Sequence, residues 1–230
     1  MKGFVFAFAA AAAGVAAAAA PLAAEASTTV ASLNWAGYVI TGSTYGDVQA
    51  NWTQPSVSCS SSRFEASAYW VGMGGVNAPE LEQIGTEADC SGGQPVYSTW
   101  FEMFPSPVQR LSLPVQPGDR VSADVAFKNG EYTLSLTTTS GGSFTTSFTT
   151  AGDNTSAEFV VEAPATCNPS SGKCTPQPLA NFGTVSFDGA SATPADAPTF
   201  KVVMVTKHGT PKAVPSDFIG GQFSVAWLHS

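Results

Sequence analysis

Chemistry in this chain has to come from a few side chains, because only 11% of its residues are charged. The stretch Ala157-Glu158-Phe159-Val160-Val161-Glu162-Ala163-Pro164 alternates apolar and acidic residues. As a strand it sets Glu158, Val160 and Glu162 on one face and Ala157, Phe159 and Val161 on the other. Pro164 has no N–H to donate and ends the ladder. A carboxylate on a sheet face is ordinarily just solvated. What sets this pair apart is the company available on other strand-like segments, Gln83, Trp100 and Glu102. In the alternating run from Pro95 to Phe104, Trp100 and Glu102 share a face. Carboxylates, a side-chain amide and aromatic walls suit hydrolysis: a carboxylate moves protons and an amide donates to a developing oxyanion.

Other routes to hydrolysis are poorly served. There is no Gly-x-Ser-x-Gly elbow, no His-Glu-x-x-His and no Asp-Thr-Gly or Asp-Ser-Gly pair, and the only histidines are His208 and His229. No glycine loop of the Walker or Rossmann kind occurs, and nothing in the chain calls for a cofactor or a metal.

The elements that must position these residues read as strands and turns. Trp35–Ile40, Asp47–Thr53, Ala66–Gly72, Leu81–Gly85 and Pro95–Phe104 come first. Arg120–Phe127 and Glu131–Thr139 flank Asn129-Gly130, a strong hairpin signal, and Gly141-Gly142 leads to Ser143–Thr150. Phe182–Phe187, Phe200–Thr206 and Gln222–Leu228 follow. Short strands at regular spacing with no 3.6-residue period predict an all-β sandwich or barrel.

The first residues, one lysine followed by an Ala-rich apolar run and a small-residue site at Ala24-Glu25-Ala26, read as a signal peptide over 1–26, with secretion expected. Residues 27–230 then form one domain, with no linker or internal repeat and no membrane contact after cleavage. Four cysteines in an exported chain point to two disulfides among three possible pairings. The turn-rich loop between Cys167 and Cys174 favours closure on itself, which leaves Cys59 with Cys90. A net charge of −8 with nine Lys plus Arg argues against nucleic acid or anionic membrane as partner.

Asn34-Trp35-Ala36-Gly37-Tyr38, Tyr69-Trp70-Val71-Gly72, Leu81-Glu82-Gln83-Ile84-Gly85-Thr86, Tyr97–Pro105, Ala157–Pro164 and Leu179–Gly183 occur in an order that resembles the glutamic peptidases, or eqolisins, across nearly the whole mature chain. The resemblance implies a sandwich of two antiparallel sheets, jelly-roll or concanavalin-like, with about seven strands each. It implies an acid endopeptidase, insensitive to pepstatin and acting on polypeptides as a monomer. It assigns Glu162 as the catalytic glutamate and Gln83 as the catalytic glutamine, with Trp35, Trp70, Trp100 and Glu102 lining the substrate cleft. Glu158 shares a face with Glu162 and competes for the role on side-chain properties alone. Gly74 stands where some members carry Asp, and Glu87 where others carry Asp. The short span before Trp35 matches a bacterial type without a pro-segment. The rival readings are a glycan-binding or glycan-cleaving jelly-roll, with Glu102 and Glu162 as acid and base, and an adhesive β-domain.

Overall fold

The computed structural model describes residues 25, 27–59, 63–77, 79–167 and 174–230. The expected signal peptide lies almost wholly outside them. Among the described residues there are seventeen strands and no helix. They are β1 (Thr28–Ser32), β2 (Trp35–Thr41), β3 (Asp47–Thr53), β4 (Glu65–Gly74), β5 (Leu81–Ser91) and β6 (Gln94–Phe104). Next come β7 (Gln109–Arg110), β8 (Arg120–Lys128), β9 (Glu131–Thr138), β10 (Gly142–Thr149), β11 (Ser156–Glu162) and β12 (Ala165–Cys167). The last are β13 (Cys174–Pro176), β14 (Thr184–Thr193), β15 (Phe200–Val205), β16 (Pro211–Pro215) and β17 (Phe223–Trp227).

Fifteen strands are hydrogen-bonded into one sheet that doubles back on itself. One layer runs β10-β9-β8-β3-β14-β17 and the other β15-β2-β11-β4-β5-β6-β7, with β16 bonded to both β17 and β15. The expected sandwich is therefore present, with its two layers continuous along one side. The pairing is antiparallel except for β1, which adds to β15 in parallel. Strands β12 and β13 form a separate ribbon closed by Cys167–Cys174. The second disulfide joins Cys59 to Cys90, so both expected bridges are formed.

The layers meet through alternate residues of each strand. Tyr69 and Val71 of β4, Ile84 of β5 and Phe159 of β11 face Trp52, Val121, Val125 and Leu134 of the other layer, all buried in one core. Full burial of each such side chain contributes roughly 1.5–3 kcal/mol. Trp52 spans the layers and donates its indole N–H to Thr86 Oγ1 at 3.1 Å, which gives its polar atom a partner inside the core. The β8–β9 turn has Asn129 at φ 55° and Gly130 at φ 82°, the two positive φ values that a type I′ hairpin requires.

Because β11 is inserted between β2 and β4, a strand late in sequence lies at the centre of the first layer. It is buried on both faces: one enters the core, and the other carries the acids.

Candidate active site

The outward face of the β2-β11-β4-β5-β6 layer is organised by register. Glu162 pairs with Trp35 on one side and Ala68 on the other. Val160 lies beside Trp70, Trp70 beside Gly85, and Gly85 beside Trp100. Glu158 lies beside Gly72, Gly72 beside Gln83, and Gln83 beside Glu102. Gln83 and Glu162 are thus on the same face, two strands apart and offset by four residues along β4, with Trp70 at the row between them.

Trp35, Ala68, Trp70, Leu81, Trp100 and Val160 pack into a second apolar cluster, separate from the main core. It floors a cleft of about 670 Å³ whose walls include Trp35, Gln83, Trp100, Glu102 and Glu162. Five of the six residues expected at the site line this one cleft. Trp70 is the sixth; it is fully buried and serves from beneath. Its ring meets Trp35 edge to face, with centroids 5.1 Å apart. Its indole N–H donates to Glu162 Oε2 at 2.9 Å.

Glu162 receives a second neutral donor, Asn34 Nδ2 to Oε1 at 3.0 Å. Burial pushes its carboxyl up to about 7; hydrogen bonds from Trp70, Asn34 and Trp35 pull it down, and the charge of Glu102 adds to the rise. The carboxylate is therefore oriented by uncharged groups and left strongly basic. Gln83 is buried, and its Nε2 donates to Glu102 Oε2 at 2.7 Å. Gln83 Oε1 has no hydrogen-bond partner, and neither has Trp100 Nε1, although both atoms are buried. Burial raises Glu102 and the Gln83 hydrogen bond lowers it.

Two glycines create the room. A Cβ on Gly85 would stand 2.1 Å from Tyr69 O, and its absence lets the indoles of Trp70 and Trp100 flank an open row. A Cβ on Gly72 would meet the Trp70 ring at 2.9 Å and Gln83 Cβ at 3.3 Å.

Glu158 is excluded from the cleft. It is wholly buried, neither carboxyl oxygen has a partner, and burial holds its pKa well above the ordinary carboxylate range. The alternation that puts it on the face of Glu162 holds, but access separates the two acids.

Three contributors were not singled out from the sequence. Asn34 stands next to Trp35, but a residue just before a strand carries no signal that it will reach an acid 128 positions away. Arg110 sits on the two-residue β7, beside Trp100, and pairs with the buried Glu87. Asp89, next on that face of β5, is pushed up to about 8 by burial and by the neighbouring Glu87. Glu87 and Asp89 lie beyond the expected strand Leu81–Gly85, and only the extension of β5 to Ser91 brings them onto one face. Among the described residues no group of three or more His, Cys, Asp or Glu is placed to hold a metal ion.

The fold and the site together define a β-sandwich whose open face carries an acid held by neutral donors and an amide with a free carbonyl. The chain matches the Peptidase A4 family over residues 33–210 and belongs to it. It is 29% identical over 187 residues to scytalidopepsin B of Scytalidium lignicola, covering 74% of this chain and 70% of that protein. It is 31% identical over 189 residues to aspergillopepsin-2 of Aspergillus niger, covering 70% of this chain and 64% of that protein. Among solved structures, scytalido-glutamic peptidase with a peptide-based transition-state analogue superposes with a TM-score of 0.71 at 25% identity, over 85% of this chain and 98% of that one. Aspergilloglutamic peptidase from Aspergillus niger gives 0.57 at 24% identity, over 71% and 99%. The protein is therefore a glutamic-type peptidase, which sets aside the glycan-cleaving and adhesive readings.

Proposed function

We propose that the protein is a secreted acid endopeptidase in which Glu162 activates water and Gln83 stabilises the tetrahedral oxyanion. The observation that carries this reading is that one cleft is lined both by a carboxyl fixed by Trp70 and Asn34 and by an amide whose buried Oε1 lacks any partner. The Glu162 carboxylate takes a proton from water as the water oxygen bonds to the scissile carbonyl carbon. Gln83 Oε1 accepts from that water, and the Nε2 hydrogen not committed to Glu102 donates to the carbonyl oxygen as it becomes negative. Protonated Glu162 then returns its proton to the leaving nitrogen, and the C–N bond breaks. Glu102 is a positioning residue that fixes the amide. Trp35 and Trp100 supply apolar walls for the substrate, which is a polypeptide by analogy with the peptide-based analogue held by the scytalido-glutamic peptidase.

An unperturbed glutamate, with a pKa of roughly 4.3, would place the working range in mild acid. Burial moves that value to about 7, so the ionised base thins out tenfold per pH unit below 7 while each ionised carboxylate is a stronger base. Activity is therefore expected to climb with pH across the acid range. Two disulfides favour an oxidising, extracytoplasmic compartment. No helix among the described residues is long and apolar enough to cross a membrane, and the protein works as a monomer.

The test is cleavage of denatured casein in mild acid. Wild-type protein is expected to cleave with and without pepstatin, and Glu162→Gln to lose activity by at least roughly a thousandfold with an unchanged near-UV spectrum. Activity retained in Glu162→Gln would remove the assignment.

A further inference from the structure

The cleft occupies one face of β5 and β6, and a second cavity, of about 540 Å³, adjoins the reverse of the same strands. It opens between the two layers, where β10 ends opposite the turn from β6 to β7. Phe101 and Met103 of β6 and Phe148 of β10 form its walls, and the rings of Phe101 and Phe148 lie 5.5 Å apart. Glu80 and Glu82 also line it, and no Lys, Arg or His does. Glu82 is only 2% exposed, and its Oε2 has no hydrogen-bond partner. The other ionisable groups around it are Glu80, Asp153 and Tyr132, whose hydroxyl hydrogen-bonds to the Glu82 carboxyl as well as to Asn154 and partly offsets the effect of burial; Glu158 lies beyond. None of them supplies positive charge.

A buried carboxyl with no counter-charge is costly to ionise, and burial pushes Glu82 up to about 7. A cation seated against it would recover part of that cost, provided the rest of the ligand is apolar enough for the walls. Aromatic and apolar walls with a few placed polar groups are the usual composition of a small-molecule site, and the volume lies in the usual range; here Glu80, Ser106, Gln109, Thr149 and Thr150 join Glu82 around the apolar walls.

We propose that this cavity is a binding site for organic amines, with a protonated primary amine on Glu82 and its aromatic or aliphatic body between Phe101, Met103 and Phe148. The site is distinct from the cleft: Glu82–Met103 and Gln83–Glu102 are successive cross-strand pairs, so the cavity and the acid–amide cleft stand back to back across one sheet. The proposal does not depend on how the cleft cleaves peptides, and its test needs no catalytic readout.

Phenethylamine is titrated calorimetrically into the full-length protein at about pH 8, where the amine is protonated and the Glu82 carboxyl is mostly ionised, with phenethyl alcohol as the uncharged counterpart. Wild-type protein is expected to bind one amine per chain, at least roughly tenfold more tightly than the alcohol. Glu82→Gln is expected to weaken the amine by a similar factor and leave the alcohol unchanged. Glu162→Gln is expected to bind the amine as wild type does. Full affinity in Glu82→Gln, loss of affinity in Glu162→Gln, or no saturable binding at ~10 mM amine overturns the proposal. Should Glu82→Gln not fold, Ala151→Trp, which fills the exposed mouth and leaves the acid in place, must abolish binding; unchanged affinity there overturns the site equally.

Discussion

The role proposed for Glu162 rests on the two neutral donors beneath and beside it. Charged donors would hold the carboxylate ionised and weakly basic; the indole of Trp70 and the amide of Asn34 orient it and leave its basicity high. The Trp70 hydrogen bond lowers the Glu162 pKa, so removing it raises that pKa. In Trp70→Phe the acid limb of log(kcat/KM) against pH is expected to move to higher pH, with activity in mild acid falling roughly tenfold. A limb that stays in place would show that Trp70 only packs. The residue types were legible before the fold: one acid, one amide and three tryptophans at strand spacings. Their protonation was not, because desolvation depends on what covers a group, and neither Asn34 nor Trp70 is near Glu162 in sequence.

At the scale of elements, the β4-β5-β6 meander sets the spacing of the site through its glycines. Gly72→Ala is expected to fold but to press on the Trp70 ring and Gln83, lowering kcat with a smaller change in KM; steady-state kinetics on a fluorogenic peptide would show the split. The two disulfides differ in what they constrain. Cys59–Cys90 closes a span of 31 residues and Cys167–Cys174 one of 7. Loop-closure entropy gives about 3–4 kcal/mol for the first and about 1 kcal/mol less for the second. Urea unfolding of the Cys59→Ala/Cys90→Ala and Cys167→Ala/Cys174→Ala variants is expected to rank them in that order. Several elements were readable because local chemistry dictates them: the Asn129-Gly130 hairpin has the positive φ values its turn needs, and β3 falls on its alternating run. The parallel β1, the two-residue β7 and β16 were not, since short segments become strands only when a neighbour offers its hydrogen bonds.

For the whole molecule, burial dominates the carboxylates. Glu82 and Glu162 are pushed to about 7, Asp89 to about 8 and Asp124 to about 6, and Glu158 is held well above the ordinary carboxylate range, all chiefly by desolvation. Asp188 is lowered, by the Arg120 guanidinium. A raised carboxyl binds more protons folded than unfolded between its unfolded pKa, near 4, and its folded one. Stability from these groups is fully present below about pH 4 and is lost as pH rises through 6 to 8. The Tm is therefore expected to fall from about pH 4 to about pH 8, and Glu158→Gln, which cannot ionise, to flatten that slope. A Tm that rises toward neutrality would contradict the dominance of desolvation.

By itself the sequence determined the strands, their inward and outward faces, the two disulfides and the short roster of groups able to do chemistry. These follow from alternation, turn residues and composition, which act over a few positions. Only the tertiary structure decided which of two equivalent acids reaches the cleft. Glu158 and Glu162 lie four positions apart on one face of β11, yet one is sealed and the other opens onto the cleft. That difference arises from the strands and loops packed over each end of β11, and from the desolvation they impose, which no local pattern encodes.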